Sequence, residues 1–486
     1  MLPEEAVRRL RLQTLQATGV DPYPATTQRT HQTTELLSRF DELSAAGRVV
    51  TVVGRVRTLR KHGGLTFLQI EDGSGSIQCA LKRDTVGQDR YDFFHATTDM
   101  GDFLEFSGTL FLTKKGEKTL DVSIGRILTK SLLPMPEKWH GLSDTETRYR
   151  QRYLDLMVNP PVRNIFRVRA RILSTMRSFL DQAGFLEVET PVLQAVPGGA
   201  NAEPFKTHHN ALNQDMYLRV APELFLKRCV VGGFERVYEV SRCFRNEGID
   251  HSHNPEFTQV EAYAAYMDYR QLMDFVEAML LKIIKEVGSD PAAVPFQGHV
   301  MDFAKPIERL TYAQALRDYA DIELSTLGTR DEAAFVAAKR RVPVEKTDGK
   351  ATIIDRIYKH LVRPKLIQPV FLMDYPTELS PLAKRKPEDP SLVEMFQLVY
   401  GGGVENVKAF SELNDPLNQE ERFAEQEAAR SAGDKEAQFG DADFVTALKH
   451  GMPPTAGFGI GIDRLTATLV DASNLKEVIL FPTLRN

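Results

Sequence analysis

A chain of 486 residues is long enough for two or three domains, each with its own core. Its 42% hydrophobic and 26% charged residues are ordinary for a globular protein, and a net charge of −5 means that a nucleic-acid partner must be met by a local basic surface and not by a global field. The three cysteines (Cys79, Cys229, Cys243) form no Cys-x-x-Cys pair and no zinc spacing, no apolar run reaches about 18 residues, and the start Met-Leu-Pro-Glu-Glu lacks a basic-then-apolar leader; these features predict a reduced, cytoplasmic chain with no membrane segment.

Residues 4–18 read as a helix with Ala6, Leu10 and Leu15 as its apolar stripe and Arg8, Arg9 and Arg11 off it, stopped by Asp21-Pro22-Tyr23-Pro24. From Val49 the period becomes strand-like through Arg57. A basic turn at Arg60-Lys61-His62-Gly63-Gly64, a strand over Leu65–Ile70, a turn over Glu71–Gly75 and a strand over Ser76–Leu81 follow. Further strands surround 102–112 and 118–127, joined by a Lys114-Lys115-Gly116-Glu117 hairpin turn. Short strands with glycine turns at this spacing predict a small Greek-key barrel. Pro134-Met135-Pro136 marks a linker, so the expected division is residues 1–135 and 136–486.

The second part begins with a helix over 161–183, where Val162, Ile165, Val168, Ile172 and Met176 recur at helical spacing and Gly184 ends it. Leu186 to Leu193 reads as strand. Strands are expected again at 216–220, 236–243, 256–265 and 369–375, with helices at 268–287 and 416–432. Strands and helices mix without the alternation of a doubly wound sheet, which predicts an α+β fold.

Two arginine-bearing motifs carry the chemistry. One runs Phe244-Arg245-Asn246-Glu247-Gly248 and on to His253-Asn254-Pro255-Glu256-Phe257; the other is Gly457-Phe458-Gly459-Ile460-Gly461-Ile462-Asp463-Arg464. A guanidinium keeps its charge near neutral pH and its planar fork matches phosphate and carboxylate oxygens. Neither motif is a Walker loop or a dinucleotide fingerprint, so the pattern points to ATP held without a glycine-rich cradle. Taken singly, Arg245 and Glu247 read as a strand ion pair, Phe67 as barrel core, and Gly459 and Gly461 as close-packing positions.

In order, these motifs resemble the bacterial-type class II lysyl-tRNA synthetases over nearly the whole chain. Gly184-Phe185 to Glu189-Thr190-Pro191 is similar to the first class II motif, Arg245 to Phe257 to the second and Gly457 to Arg464 to the third. The lysine assignment rests on Gly198-Gly199-Ala200, Ala221-Pro222-Glu223-Leu224, Glu261-Ala262-Tyr263 and Phe410-Ser411-Glu412-Leu413-Asn414-Asp415, with Trp139-His140-Gly141-Leu142 and Arg148 to Asp155 at the junction.

The resemblance implies an OB-fold anticodon-binding domain followed by an antiparallel class II catalytic domain flanked by helices, assembled as a homodimer. The implied reaction is ATP-dependent activation of lysine and its transfer to tRNA(Lys), with Mg²⁺. By the same resemblance Arg245 bridges the lysine carboxylate and the α-phosphate, Arg464 lies on the γ-phosphate side, His253 is near the outer phosphates, Phe257 stacks on adenine and Glu247 meets its amino group. Glu261, Tyr263 and Glu412 take the ε-ammonium, Glu223 and the Gly199 backbone the α-ammonium, and Phe410 flanks the alkyl stem. Glu405 is the implied metal ligand. Phe67 stacks on an anticodon base and Gln78 hydrogen-bonds there, with Arg55, Arg60 and Lys61 on phosphates.

Three positions depart from the family pattern. Glu203 stands where an arginine precedes Pro-Phe. Gln397 replaces a metal-binding carboxylate, in a stretch from Phe396 to Phe410 that is one residue longer. Lys408 replaces an asparagine beside the substrate carboxylate; a cation there either pairs with that group or fills the ammonium pocket. These changes motivate a second reading, a weakened relative that binds tRNA or regulates. An aspartate- or asparagine-type enzyme is a third, but it needs a cation facing the substrate side chain where Glu261 and Glu412 supply negative charge.

Overall fold

Alternation of apolar and polar residues drives five strands, β1 (Val50–His62), β2 (Leu65–Glu71), β3 (Ser76–Lys82), β4 (Phe103–Leu112) and β5 (Lys118–Thr129), into a closed barrel of order β1-β2-β3-β5-β4. The computed structural model describes residues 3–136, 142, 144–200, 202–248, 250, 252–345, 348–431 and 439–485, in two compact units, Met1–Ser143 and Asp144–Asn486. Trp139-His140-Gly141 of the junction motif and Ala432, the expected end of a helix, lie outside the described residues. Val52, Val56, Leu68, Ile70, Cys79, Phe106, Leu120 and Val122 fill the barrel.

Two expectations in this unit need correction. Arg60, Lys61 and His62 do not form a turn; they continue β1, paired with Phe67, Thr66 and Leu65, and only Gly63-Gly64 turns the chain. Their long side chains are tolerated because this end of the strand is exposed. The first helix spans Pro3–Ala17 and buries Leu15 as expected, but Leu10 of the expected stripe is 63% exposed and Arg8, expected off it, only 3%. Arg8 is drawn in because its guanidinium donates to the carbonyls of Met100 (3.1 Å) and Ser131 (3.2 Å) and pairs with Glu4. Such a fork satisfies polar groups that an apolar side chain would strand.

The second unit is organised by an eight-stranded sheet. In spatial order it runs β14 (Glu308–Thr311), β15 (Val370–Pro376), β16 (Leu392–Tyr400), β17 (Val404–Ser411), β18 (Thr455–Gly461), β11 (Glu256–Ala265), β10 (Arg236–Phe244) and β6 (Leu186–Glu187). The six central strands are mutually antiparallel and the two edge strands pair parallel. A three-stranded sheet, β7 (Leu193–Gln194), β9 (Gln214–Leu218) and β8 (Lys206–His209), and a ribbon, β12 (Val294–Phe296) with β13 (His299–Met301), complete it. Helices Pro160–Gln182, Tyr269–Glu286 and Ile462–Leu469 cover one face, burying Ile172, Met176, Met273, Phe396, Phe458 and Ile460. Helices Glu223–Val231, Tyr312–Ala320, Lys350–Leu361 and Ala442–Lys449 pack around the other face.

Leu186 to Leu193 is not one strand. After two residues paired with β10 and a last bond from Val188 N to the Tyr238 carbonyl (2.9 Å), Thr190 turns its amide and hydroxyl to Glu239 Oε2, at 3.2 and 2.6 Å. Pro191 has no N–H for a ladder. The helix before it ends as expected, with Gly184 at φ +81°.

Phe458 sits at the centre of the helix-covered face, 1% exposed. Phe458→Ala is expected to cost about 3–5 kcal/mol, read as a lower midpoint in thermal or denaturant unfolding of the full chain.

Candidate active site

Alternation along β18 sends Ala456, Phe458 and Ile460 into the helix-covered core and leaves Gly457, Gly459 and Gly461 on the opposite face. That face is the floor of a cleft of about 380 Å³. Strand register fixes what rises beside it. One row across the sheet reads Glu239, Glu261, Gly459, Lys408, Gln397, and a parallel row reads Tyr263, Gly457, Phe410, Met395. The expected positions Gly199, Glu223, Arg245, Glu247, His253, Phe257, Glu261, Tyr263, Glu405, Phe410 and Arg464 all line this one cleft. The glycines of β18 therefore do more than allow close packing; they keep the floor bare.

One end of the cleft is acidic and buried. Glu223, Glu261 and Glu412 are 6%, 6% and 1% exposed, so three carboxylates share a dry region. Glu412 stands behind the lining. It is ion-paired at 2.5 Å with Lys227, which also donates to Glu223 Oε1 at 2.6 Å. The Glu412 Oε1 atom is buried without a hydrogen-bond partner. Burial pulls the Lys227 pKa down, but Glu223 and Glu412 together push it above its ordinary value. Glu261 accepts from Gln259 Nε2 (2.6 Å) and from the Tyr263 hydroxyl (2.9 Å). Burial first and Glu223 second raise its pKa above the usual carboxylate range, against the pull of Tyr263 and Lys227. Tyr263 and Phe410 wall this end, with the Lys227 ammonium 5.3 Å from the Phe410 ring centre.

Two glycines permit the crowding. A Cβ at Gly457 would lie 2.3 Å from Tyr263 Cε1 and 2.5 Å from Glu412 Oε1, and one at Gly199 (φ +90°) 2.8 Å from the Glu223 Cβ.

The other end is cationic. Arg245 follows directly on β10, its amide bonded to the Pro255 carbonyl at 2.9 Å, and its guanidinium carbon lies 4.9 Å over the Phe257 ring. Its Nε is buried without a partner, and among the described residues no ion pair joins Arg245 to Glu247, which corrects the single-pair reading. Arg464, near the start of helix Ile462–Leu469, donates to the Glu405 carbonyl at 2.8 Å, and burial lowers its pKa. The Glu405 carboxylate faces Arg363 at 3.6 Å. His253 is exposed and held by Asp250 at 2.9 Å. Gln397 accepts from the Tyr375 hydroxyl at 2.8 Å. Glu203 contributes its backbone carbonyl to the Asn246 amide at 2.8 Å and does not line the cleft.

A buried acidic slot joined to a cationic chamber can hold a zwitterion with a basic side chain against a polyphosphate. Residues 144–485 match the family described as tRNA synthetases class II (D, K and N), and residues 50–127 match the OB-fold nucleic acid binding domain. This chain belongs to the class II tRNA synthetases. Its relatives include the lysine–tRNA ligase of Roseiflexus sp. (strain RS-1), 50% identical over 98% of each chain. That of Chloroflexus aurantiacus is 48% identical over 99% of this chain and 98% of its own, and that of Magnetococcus marinus 45% identical over 99% and 96%. In this synthetase the OB-fold barrel turns Phe67 and Gln78 outward, half-buried, while Leu68, Ile70, Ile77 and Cys79 point in. The core reading of Phe67 is thus replaced by an outer-face position. Gln78 Nε2 donates to Thr119 Oγ1 at 2.8 Å. Among the described residues no helix is long and apolar enough to cross a membrane.

Sequence reading missed Lys227, Gln259 and Arg363. Lys227 was legible in part, as the i,i+4 partner of Glu223 on one helix, an arrangement that favours an ion pair. Lys227→Met is expected to cost about 3–5 kcal/mol near neutral pH, because it leaves buried carboxylates without their counter-ion. The sign follows from Glu412, whose pKa burial already raises. A carboxyl whose folded pKa exceeds its unfolded value favours folding in acid and loses that contribution as pH rises through the folded value. The deficit of the variant against the parent, measured by denaturant unfolding, should therefore shrink on acidification.

Proposed function

We propose that this synthetase is a lysine–tRNA ligase, working in the cytoplasm as a homodimer on lysine, ATP and tRNA(Lys). The observation that carries the reading is the charge balance of the acidic slot. Glu223, Glu261 and Glu412 face one buried ammonium, Lys227, leaving negative charge that the two ammonium groups of free lysine neutralise. A buried carboxylate left unpaired is costly, so the slot rejects neutral isosteres. An acidic side chain would be repelled there, which disfavours aspartate as substrate; asparagine would bring no cation. The names of the relatives support the same substrate.

In the first step a lysine carboxylate oxygen attacks the α-phosphorus of ATP, the bond to the β-phosphate oxygen breaks and pyrophosphate leaves. In the second, a ribose hydroxyl at the 3′ end of tRNA attacks the carbonyl of the adenylate and AMP leaves. The attacking carboxylate needs no base, so the protein supplies alignment and charge. Arg245 spans carboxylate and α-phosphate, Arg464 and His253 meet the outer phosphates, Phe257 offers its ring to adenine and Glu247 accepts from the adenine amino group. In the slot Glu261 and Tyr263 take the ε-ammonium while Glu412, behind the lining and held by Lys227, adds its negative charge; Glu223 and the Gly199 backbone take the α-ammonium, and Phe410 covers the stem.

Glu405 and Gln397 are the residues that would hold Mg²⁺. Among the described residues no three His, Cys, Asp or Glu cluster as a metal cage. A hard cation favours carboxylate oxygen, so Glu405 would be the stronger contact and the neutral amide of Gln397, which accepts from Tyr375, the weaker. Bound there, the ion supplies positive charge to the phosphates. The exposed Leu186, Val192 and Leu193 around the first motif support the homodimer. The weakened-relative reading gains nothing from the cleft, where Arg245, His253, Phe257 and Arg464 stand together.

Purified protein should exchange pyrophosphate into ATP in the presence of lysine and not of aspartate or asparagine; absence of lysine-dependent exchange at millimolar Mg²⁺ would refute the assignment. Arg245→Ala should slow this exchange about a hundred- to a thousandfold, the size of losing one transition-state charge contact. Phe67→Ala should leave exchange unchanged and raise the KM for tRNA roughly 5- to 150-fold, as expected for one lost stacking contact.

A further inference from the structure

We propose that Lys408 is a built-in cation of the phosphate site, which holds the nucleotide where the wall of the cleft is short of metal ligands. The inference rests on the lysine–tRNA ligase reading and concerns how that enzyme neutralises ATP. Lys408 stands on β17 between Gln397 and Gly459, with its side chain open to the cleft. Among the described residues its ammonium has no hydrogen bond and no ion pair, although every carboxylate of the acidic slot is already engaged by another side chain. Lys227 holds Glu223 and Glu412, and Gln259 and Tyr263 hold Glu261. Lys408 is therefore a cation that no carboxylate of the described residues touches, set in the same chamber as Arg245 and Arg464.

Its electrostatic neighbours are Glu223, Arg245, Glu405 and Asp355; burial and Arg245 lower its pKa, and the carboxylates of Glu223, Glu405 and Asp355 oppose that. Of the two residues that would hold Mg²⁺, Gln397 is neutral and Glu405 already faces Arg363 at 3.6 Å. One carboxylate beside Arg363, Arg464 and Lys408 makes a wall that repels additional divalent cations and attracts a polyanion. A tethered ammonium is a point charge with three donors, suited to phosphate oxygens. Part of the neutralisation that Mg²⁺ would otherwise supply thus comes from the chain itself.

The test is calorimetric binding of α,β-methylene-ATP to the full-length protein, in excess EDTA and in millimolar Mg²⁺. The parent should bind the analogue in EDTA. Lys408→Met should weaken that binding roughly ten- to a hundredfold, the size of one charge-assisted contact, and weaken it much less when Mg²⁺ is present. Lys408→Arg should retain the metal-free binding, and an unchanged melting midpoint for both variants excludes misfolding. Equal weakening with and without Mg²⁺, or no weakening, overturns the proposal. Tighter binding of free lysine to Lys408→Met also overturns it, since it would show Lys408 competing for the acidic slot. Lysine-dependent exchange by the parent is a separate measurement, so failure of the ligase reading is told apart from failure of this one.

Discussion

Strand β18 presents no side chain to the cleft, and the positions of the reacting groups are measured from that bare strip. Period-two alternation makes the strip possible: Ala456, Phe458 and Ile460 anchor the strand in the core beneath, and three glycines face up. Because the floor lies flush with the backbone, groups from β11 on one side and β17 on the other reach across it. Gly457 sets the tightest tolerance, since Tyr263 and Glu412 occupy the space a methyl group would take. The sheet thus acts as a template: its register places Glu261, Gln397 and Lys408, while Arg245 just past β10 and Arg464 just past β18 extend from strand ends.

The two ends are kept electrically distinct by different means. The acidic end is buried and its carboxylates are braced by Lys227, Gln259 and Tyr263, which leaves a deficit of positive charge that shows as raised pKa values of Glu261 and Glu412. At the cationic end Arg245 is held by aromatic stacking and Arg464 by a backbone carbonyl, while the Glu405 carboxylate faces Arg363. Water can screen these charges until a phosphate displaces it. A ligand that carries ammonium groups at one end and joins a phosphate chain at the other satisfies both.

Much of this was readable in the residues themselves. Strand alternation located the barrel, β10, β11 and β15, and helical spacing located Pro160–Gln182 and Tyr269–Glu286, because each buries one continuous face. The residues gathered in the cleft were named from ordered motifs. What was not legible depended on partners distant in sequence. Arg8 is buried by carbonyls of Met100 and Ser131, which no local pattern encodes. The stretch after Leu186 loses its strand character to Glu239 and Pro191 in spite of good β propensity. The outward aspect of Phe67 required the barrel register, and the engagement of Glu412 by Lys227 required a helix packed on the cleft side of the sheet.

The stretch from Phe396 to Phe410 holds an irregularity of the ladder. Leu398 pairs with Val407 but Val399 pairs with Glu405, so Asn406 has no partner. A regular strand cannot show residues three apart on the same side. The skipped residue resets the alternation, and Glu405 and Lys408 both reach the cleft from one strand. The defect works as a phase shifter: it sets a carboxylate and an ammonium side by side at a spacing that uninterrupted pleating forbids, and removal of a single residue here would rotate one of them out of the nucleotide's reach while the rest of the sheet stayed in place.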